Sequence, residues 1–67
     1  MPIITVRILA GRSNQAKADL IRELAEGAQR ALGVREEQVR VLIEEYPPEH
    51  WGAGSKSKAE LERGSDI

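Results

Sequence analysis

The stretch from Ile3 to Gly33, IITVRILAGRSNQAKADLIRELAEGAQRALG, changes periodicity once, and that change decides the fold. It opens on Ile3 to Leu9, where isoleucine, threonine and valine favour extended backbone. Alternation places Ile4, Val6 and Ile8 on one face and Ile3, Thr5, Arg7 and Leu9 on the other. Gly11 breaks the run. Ser13 or Asn14 can then cap a helix, because either side chain accepts from an orphan backbone N–H. Ala16, Leu20, Leu24 and Ala28 recur every fourth residue, and Ile21, Ala25 and Leu32 widen the stripe. The opposite face carries Lys17, Arg22, Glu23, Glu26 and Arg30. Asp19 and Glu23 form a like-charge pair there, and Glu26 and Arg30 a favourable one. Gly33 stops the helix. Its span is about 19 residues, or roughly 28 Å.

Further along, Val39 to Glu45 reads VRVLIEE, a second strand. Val39, Val41 and Ile43 share one face; Arg40, Leu42 and Glu44 share the other. Pro47-Pro48 ends it. Strand, helix and strand, with a connection long enough for a parallel crossover, make a right-handed βαβ unit of the α/β (α+β) class. From Glu49 the pattern loosens. Gly52, Gly54 and Ser55 suggest turns. A hairpin around Trp51–Ser55 fits, followed by a strand or a helical turn near Lys58–Arg63. The expected organisation is a single domain over 1–67, with a core at 2–46 and a carboxy-terminal hairpin and oligomerisation segment at 49–67.

A chain of 67 residues folds with little margin unless something braces it. Cysteine is absent, which removes disulfides. His50 is the only histidine and has no carboxylate pair at ligand spacing, which argues against structural zinc. Partner subunits are the remaining brace. One helix covers one sheet face, so a lone βαβ unit would leave Ile3, Leu9 and Leu42 in water beside open strand edges. Self-association covers them most simply; a different protein is the alternative. Ten basic and eleven acidic residues leave a formal net charge of -1, against the basic excess of a nucleic-acid binder. No apolar run is long enough to span a bilayer, and the amino end lacks a basic stretch before an apolar core. The expected location is cytoplasmic.

Pro2 follows the initiator methionine and is small enough for that methionine to be removed. Its nitrogen would then be a secondary amine, which no internal residue offers. A fixed amine, partly desolvated and near arginines, has a lowered pKa and serves as a general base. The alternative is a residue merely tolerated at a strand start. Arg12, at the end of the first strand, can bind a carboxylate in a two-pronged way or sit solvated in a loop. Arg40, inside an apolar run, needs an acceptor: a ligand, a partner chain, or a cross-strand glutamate. Trp51 can wall a pocket or anchor an interface. Pro2 and Arg12 stand near opposite ends of the first strand, roughly 25 Å apart. One chain cannot bring both to a small molecule, but an antiparallel neighbour can. His50 reads as structural or surface, Lys56 and Lys58 as solvated, and Glu44 and Glu45 as ion-pair partners.

Several segments together resemble the 4-oxalocrotonate tautomerase family, short-subunit type. They are Met1-Pro2-Ile3, Leu9-Ala10-Gly11-Arg12-Ser13, Val39-Arg40-Val41 with Glu44-Glu45, and His50-Trp51-Gly52 with Gly54. The likeness covers about residues 1 to 63. It implies the tautomerase βαβ fold, with two subunits pairing into a four-stranded sheet and dimers assembling as a hexamer. It implies an isomerase that interconverts enol, dienol and conjugated keto forms of 2-oxo acids such as 2-hydroxymuconate. Pro2 would be the base and acid, Arg12 would grip the distal carboxylate, and Arg40 would bind the 2-oxo acid end and stabilise the enolate. Trp51 stands where the family has an aromatic pocket wall, usually phenylalanine, and Arg63 echoes a carboxy-terminal arginine. Neither metal nor cofactor is implied. The larger aromatic and the polar, basic segment Gly54-Ser55-Lys56-Ser57-Lys58 depart from the family pattern and bear on substrate choice. Two other classes stay open: a hydrolytic dehalogenase or decarboxylase of the same superfamily, which needs an acidic residue to activate water, and a non-catalytic assembly protein.

Overall fold

The computed structural model describes residues 1–64. Strand β1 covers Ile3–Leu9 and helix α1 Asn14–Leu32; a 3-10 turn at Glu36–Gln38 leads into strand β2, Arg40–Tyr46. A second 3-10 turn, Pro48–His50, is followed by the short strands β3, Gly52–Ala53, and β4, Lys56–Ser57, and by helix α2, Lys58–Gly64. The carboxy-terminal segment 49–67 therefore holds both a hairpin and a helix, and its last three residues lie outside the described ones.

The two long strands pair in parallel, with Ile3 opposite Arg40 and Leu9 opposite Tyr46. The sheet continues one step further, because the Ala10 N–H donates to the Tyr46 carbonyl over 2.8 Å. The second strand thus begins and ends one residue later than its apolar run. Val39 closes the preceding turn instead: its N–H donates to the Glu36 carbonyl at 3.1 Å, and its side chain is buried.

Ser13 caps α1, accepting from the Ala16 N–H at 3.0 Å. The helix ends at Gly33, whose φ of 69° is the left-handed conformation that a Cβ disfavours. Arg22 resolves the like-charge pair by bridging Asp19 at 3.0 Å and Glu23 at 3.5 Å. The Gln15 amide, and then the Arg22 guanidinium, hold the Asp19 carboxyl below its usual value. The expected pair between Glu26 and Arg30 does not form. Arg30 folds back toward Gly27 instead, its Nη2 3.9 Å from where a Cβ would stand.

Ile4, Val6 and Ile8 face α1 with Val41 and Ile43, all half-buried. The most deeply buried apolar residues among those described are Ala25, Val39 and Ala59, each at 8 % exposure. On the opposite sheet face Ile3 is 66 % and Leu42 54 % exposed, while Leu9 is half-buried. Ile21 and Leu32 of the α1 stripe are exposed as well, because the two-stranded sheet is narrower than the helix's apolar arc. Helix α2 packs chiefly on the Pro48–His50 turn and β4. The result is an elongated body of 50 × 24 × 14 Å. Its radius of gyration is 15.8 Å, against about 11 Å for a compact domain of this length. No helix of the described residues is long and apolar enough to cross a membrane.

Candidate active site

Pro2 precedes β1 directly and is half-buried. Its carbonyl accepts the Arg40 N–H at 3.0 Å, so Pro2 is held by the sheet. Arg40 therefore begins β2 beside the amino end of β1. Its side chain is exposed and finds acceptors in backbone, not in a glutamate. Nη1 donates to the Glu37 carbonyl at 2.6 Å and lies 3.5 Å from that of Val39. The 3-10 turn creates this acceptor by leaving the Glu37 carbonyl outside any ladder. Most of the guanidinium's five donors stay available for a ligand.

Arg12 lies at the other end of β1, past Gly11, whose φ of 123° only glycine adopts readily. It is exposed and forms no ion pair among the described residues. The structure thus brings Pro2 and Arg40 together and leaves Arg12 at the opposite end of the same strand. Just beyond Arg12, Lys17 of α1 pairs with Glu45 of β2 at 2.9 Å, both side chains mostly covered. That contact ties the start of the helix to the sheet.

Trp51 is half-buried and meets the Tyr46 ring edge-on, with centroids 6.5 Å apart and planes at 65°. The intervening Pro47-Pro48 turn is closed by the His50 N–H donating to the Pro47 carbonyl at 2.9 Å. The Tyr46 hydroxyl donates to Glu44 Oε2 at 3.2 Å, and Arg7 Nε lies 3.5 Å from the same oxygen. Arg7 and Glu44 are opposite one another in register. Sequence reasoning assigned Glu44 and Glu45 to ion pairs, but it missed Tyr46. The available signal was that Tyr46 is the only tyrosine and lies two residues from Glu44, on the same face.

The hairpin turns at Gly54, with a φ of 65°, and Ser55. Lys56 reaches Glu60 at 4.0 Å, while Lys58 is half-buried and its N–H donates to the Trp51 carbonyl at 2.6 Å. The latter bond fixes where α2 starts relative to Trp51. Arg63 is exposed at the far end of α2, and His50 is exposed.

The family model for tautomerase enzymes matches residues 2–61. The chain is 46% identical over 63 residues to a 2-hydroxymuconate tautomerase of Pseudomonas fluorescens, covering 94% of this chain and all of that one. Its fold is similar to a structure from work on the 4-oxalocrotonate tautomerase isozymes of Methylibium petroleiphilum. The TM-score is 0.90 at 33% identity, with 94% of this chain and 98% of that one covered. It is also similar to a chain of the heterohexamer 4-oxalocrotonate tautomerase of Chloroflexus aurantiacus J-10-fl. There the TM-score is 0.85 at 43% identity, with 91% and 98% covered. The sheet that seats Pro2 beside Arg40 is thus shared with enzymes of one kind: this chain belongs to the 4-oxalocrotonate tautomerase family and is a tautomerase, an isomerase by reaction class.

Proposed function

We propose that the chain converts 2-hydroxymuconate-like dienols into conjugated 2-oxo acids, with Pro2 as the group that carries the proton. The observation that supports this best is the backbone bond from the Arg40 N–H to the Pro2 carbonyl, which sets the two residues side by side at one sheet end. The nitrogen of Pro2 becomes basic only when Met1 is removed, since before that it is an amide. The free amine takes the proton of the enol hydroxyl. As the O–H bond breaks, the oxygen becomes a carbonyl and electron density moves along the conjugated chain. The amine then returns the proton to a carbon further along. Atoms and charge balance, and the substrate's own carbonyl is the electron sink.

The residue roles are those that the family resemblance implies. Arg40 stabilises the oxygen on which negative charge develops, the costly feature of the transition state. Arg12 holds the distal carboxylate, and Trp51 walls the pocket beside that end of the substrate. Arg12 comes from a neighbouring copy, because β1 keeps it away from its own Pro2. Two subunits pair antiparallel into a four-stranded sheet, and dimers assemble as a hexamer. The exposed Ile3 and Leu42, with the segment from Glu49 onward standing away from the core, support that assembly. The whole of 1–67 is one domain in this reading, with 49–67 as its oligomerisation segment. The relative from Chloroflexus is itself a heterohexamer.

The test is a spectrophotometric assay of 2-hydroxymuconate ketonisation with a 3-haloacrylate assayed alongside. Rapid loss of the dienol with an inert haloacrylate supports the proposal. Halide release without dienol turnover contradicts it and points to hydrolytic chemistry. Silence on both substrates, from a correctly assembled protein without Met1, contradicts it in favour of a non-catalytic assembly.

A further inference from the structure

Tyr46 connects the two segments that carry the distal half of the site. Its backbone carbonyl accepts the Ala10 N–H at 2.8 Å, two residues before Arg12. Its ring meets that of Trp51. The connection back to Trp51 is short and stiff, because prolines restrict φ at positions 47 and 48. The hydroxyl end of the ring is also held. Glu44 Oε2 accepts from it, and Arg7 neutralises that oxygen from the facing strand. Arg7, Glu44 and Tyr46 all project from the sheet face opposite α1, as alternation from Ile3 and Arg40 requires. With no phenylalanine and a single tyrosine in the chain, Tyr46 is the one tyrosine or phenylalanine ring that a subunit can set against its own Trp51.

We propose that Tyr46 is a positioning residue for the tautomerase reaction: its ring orients Trp51, its carbonyl steadies the segment leading to Arg12, and the Arg7–Glu44 pair fixes its hydroxyl. The inference rests on the reading of Trp51 as pocket wall and of Arg12 as the carboxylate grip. Both of those groups bind substrate and transition state alike. Misplacing them weakens capture of the distal carboxylate and leaves proton transfer at Pro2 and Arg40 intact. The signature is therefore a raised KM with kcat nearly unchanged.

The experiment uses the full chain without Met1, with 2-hydroxymuconate as substrate and each variant's assembled mass checked. Near-ultraviolet circular dichroism reads the packing of Trp51, the sole tryptophan. Tyr46→Leu is expected to flatten the Trp51 band and raise KM about tenfold, the upper end for losing an aromatic pair. Its kcat should stay within about twofold. Tyr46→Phe keeps the ring and loses only the anchor, so KM should rise about two- to fourfold, as for one hydrogen bond. Glu44→Ala removes the same bond, and the double variant should be no worse than either single one. If Tyr46→Leu does not assemble, this pair carries the test alone. Additive effects of Tyr46→Phe and Glu44→Ala, or equal losses in kcat and kcat/KM, would overturn the proposal. So would an unmoved KM in the Tyr46 variants where Trp51→Ala raises it. If Trp51→Ala itself leaves KM unmoved, the pocket-wall reading falls and takes this inference with it.

Discussion

The Arg40 N–H donates to the Pro2 carbonyl over 3.0 Å, so the residue proposed as base, just before β1, lies beside the arginine proposed to meet the developing charge, at the start of β2. A parallel pair with a one-to-one register makes this possible: Ile3 faces Arg40, and the residue before Ile3 is drawn to the same edge. The Glu37 carbonyl then steadies the guanidinium at its root and leaves other donors outward.

Arg40→Ala should therefore act on the chemical step. We expect kcat to fall about 10²–10³-fold, the usual loss for one oxyanion donor. Arg40→Lys should recover only part, because an ammonium lacks the planar fork. Steady-state kinetics on the dienol decides it; a change confined to KM would reassign Arg40 to binding.

Arg12→Ala should show the complementary pattern. Arg12 sits in an exposed loop with no ion pair among the described residues, so its removal costs the fold little. A carboxylate held equally in ground and transition states appears in KM, with kcat largely retained. The check is the same assay, repeated with a dienol lacking the distal carboxylate. For that substrate, Arg12→Ala and the parent chain should have the same KM.

The outer sheet face carries the assembly in this account. Leu42, 54 % exposed, is central on β2. Leu42→Asp should split the oligomer, since each copy forfeits a buried leucine worth about 1.5–3 kcal/mol and gains a buried charge. Sedimentation velocity should find smaller species, and specific activity should fall on dilution. A full-size, fully active Leu42→Asp assembly would mean that this face is not the interface.

Much of this architecture can be read from residue pattern, and the parts that cannot have physical reasons. β1 and α1 are legible because β-branching, the Ser13 cap and the Gly33 stop act within a few residues. The β2 boundary is off by one because Val39 is equally apolar in a strand or closing a turn; a hydrogen bond to Glu36 decides it. Residue pattern leaves helix α2 open between a strand and a helical turn, although a signal for the helix is present. Ser57-Lys58-Ala59-Glu60 is a capping box, with the Ser57 hydroxyl accepting from the Glu60 N–H at 3.2 Å and the Glu60 carboxylate accepting from the Ser57 N–H at 3.1 Å. In the proposed site, residue type alone leaves Pro2, Arg12, Arg40 and Trp51 each with a second reading, and the family resemblance is what singles them out. The Tyr46–Trp51 contact and the carbonyl partner of Arg40 depend on how 3-10 turns fold back, which no short pattern encodes.

The capping box gives a pH prediction. Hydrogen bonds from Ser57, the backbone one first and then the side chain, hold the Glu60 carboxyl below its usual value. A depressed carboxyl stabilises the folded form above its unfolded pKa and loses that contribution as pH falls through the folded value. Helicity of α2 should therefore decline on acidification below the ordinary carboxylate range, and Glu60→Gln should blunt the dependence. Far-ultraviolet circular dichroism against pH checks this, and identical acid profiles for the two proteins would contradict it.

The central claim is that the imino nitrogen of Pro2, freed from Met1, is a tuned base. The direct measurement is nitrogen-15 NMR titration of Pro2 in the assembled protein, after intact mass has verified methionine removal. The account predicts a pKa at least about one unit below that of the same proline amine in the unfolded chain, moving up in Arg40→Ala. A Pro2 amine that titrates at its unfolded value, or full dienol turnover by protein that retains Met1, would contradict it.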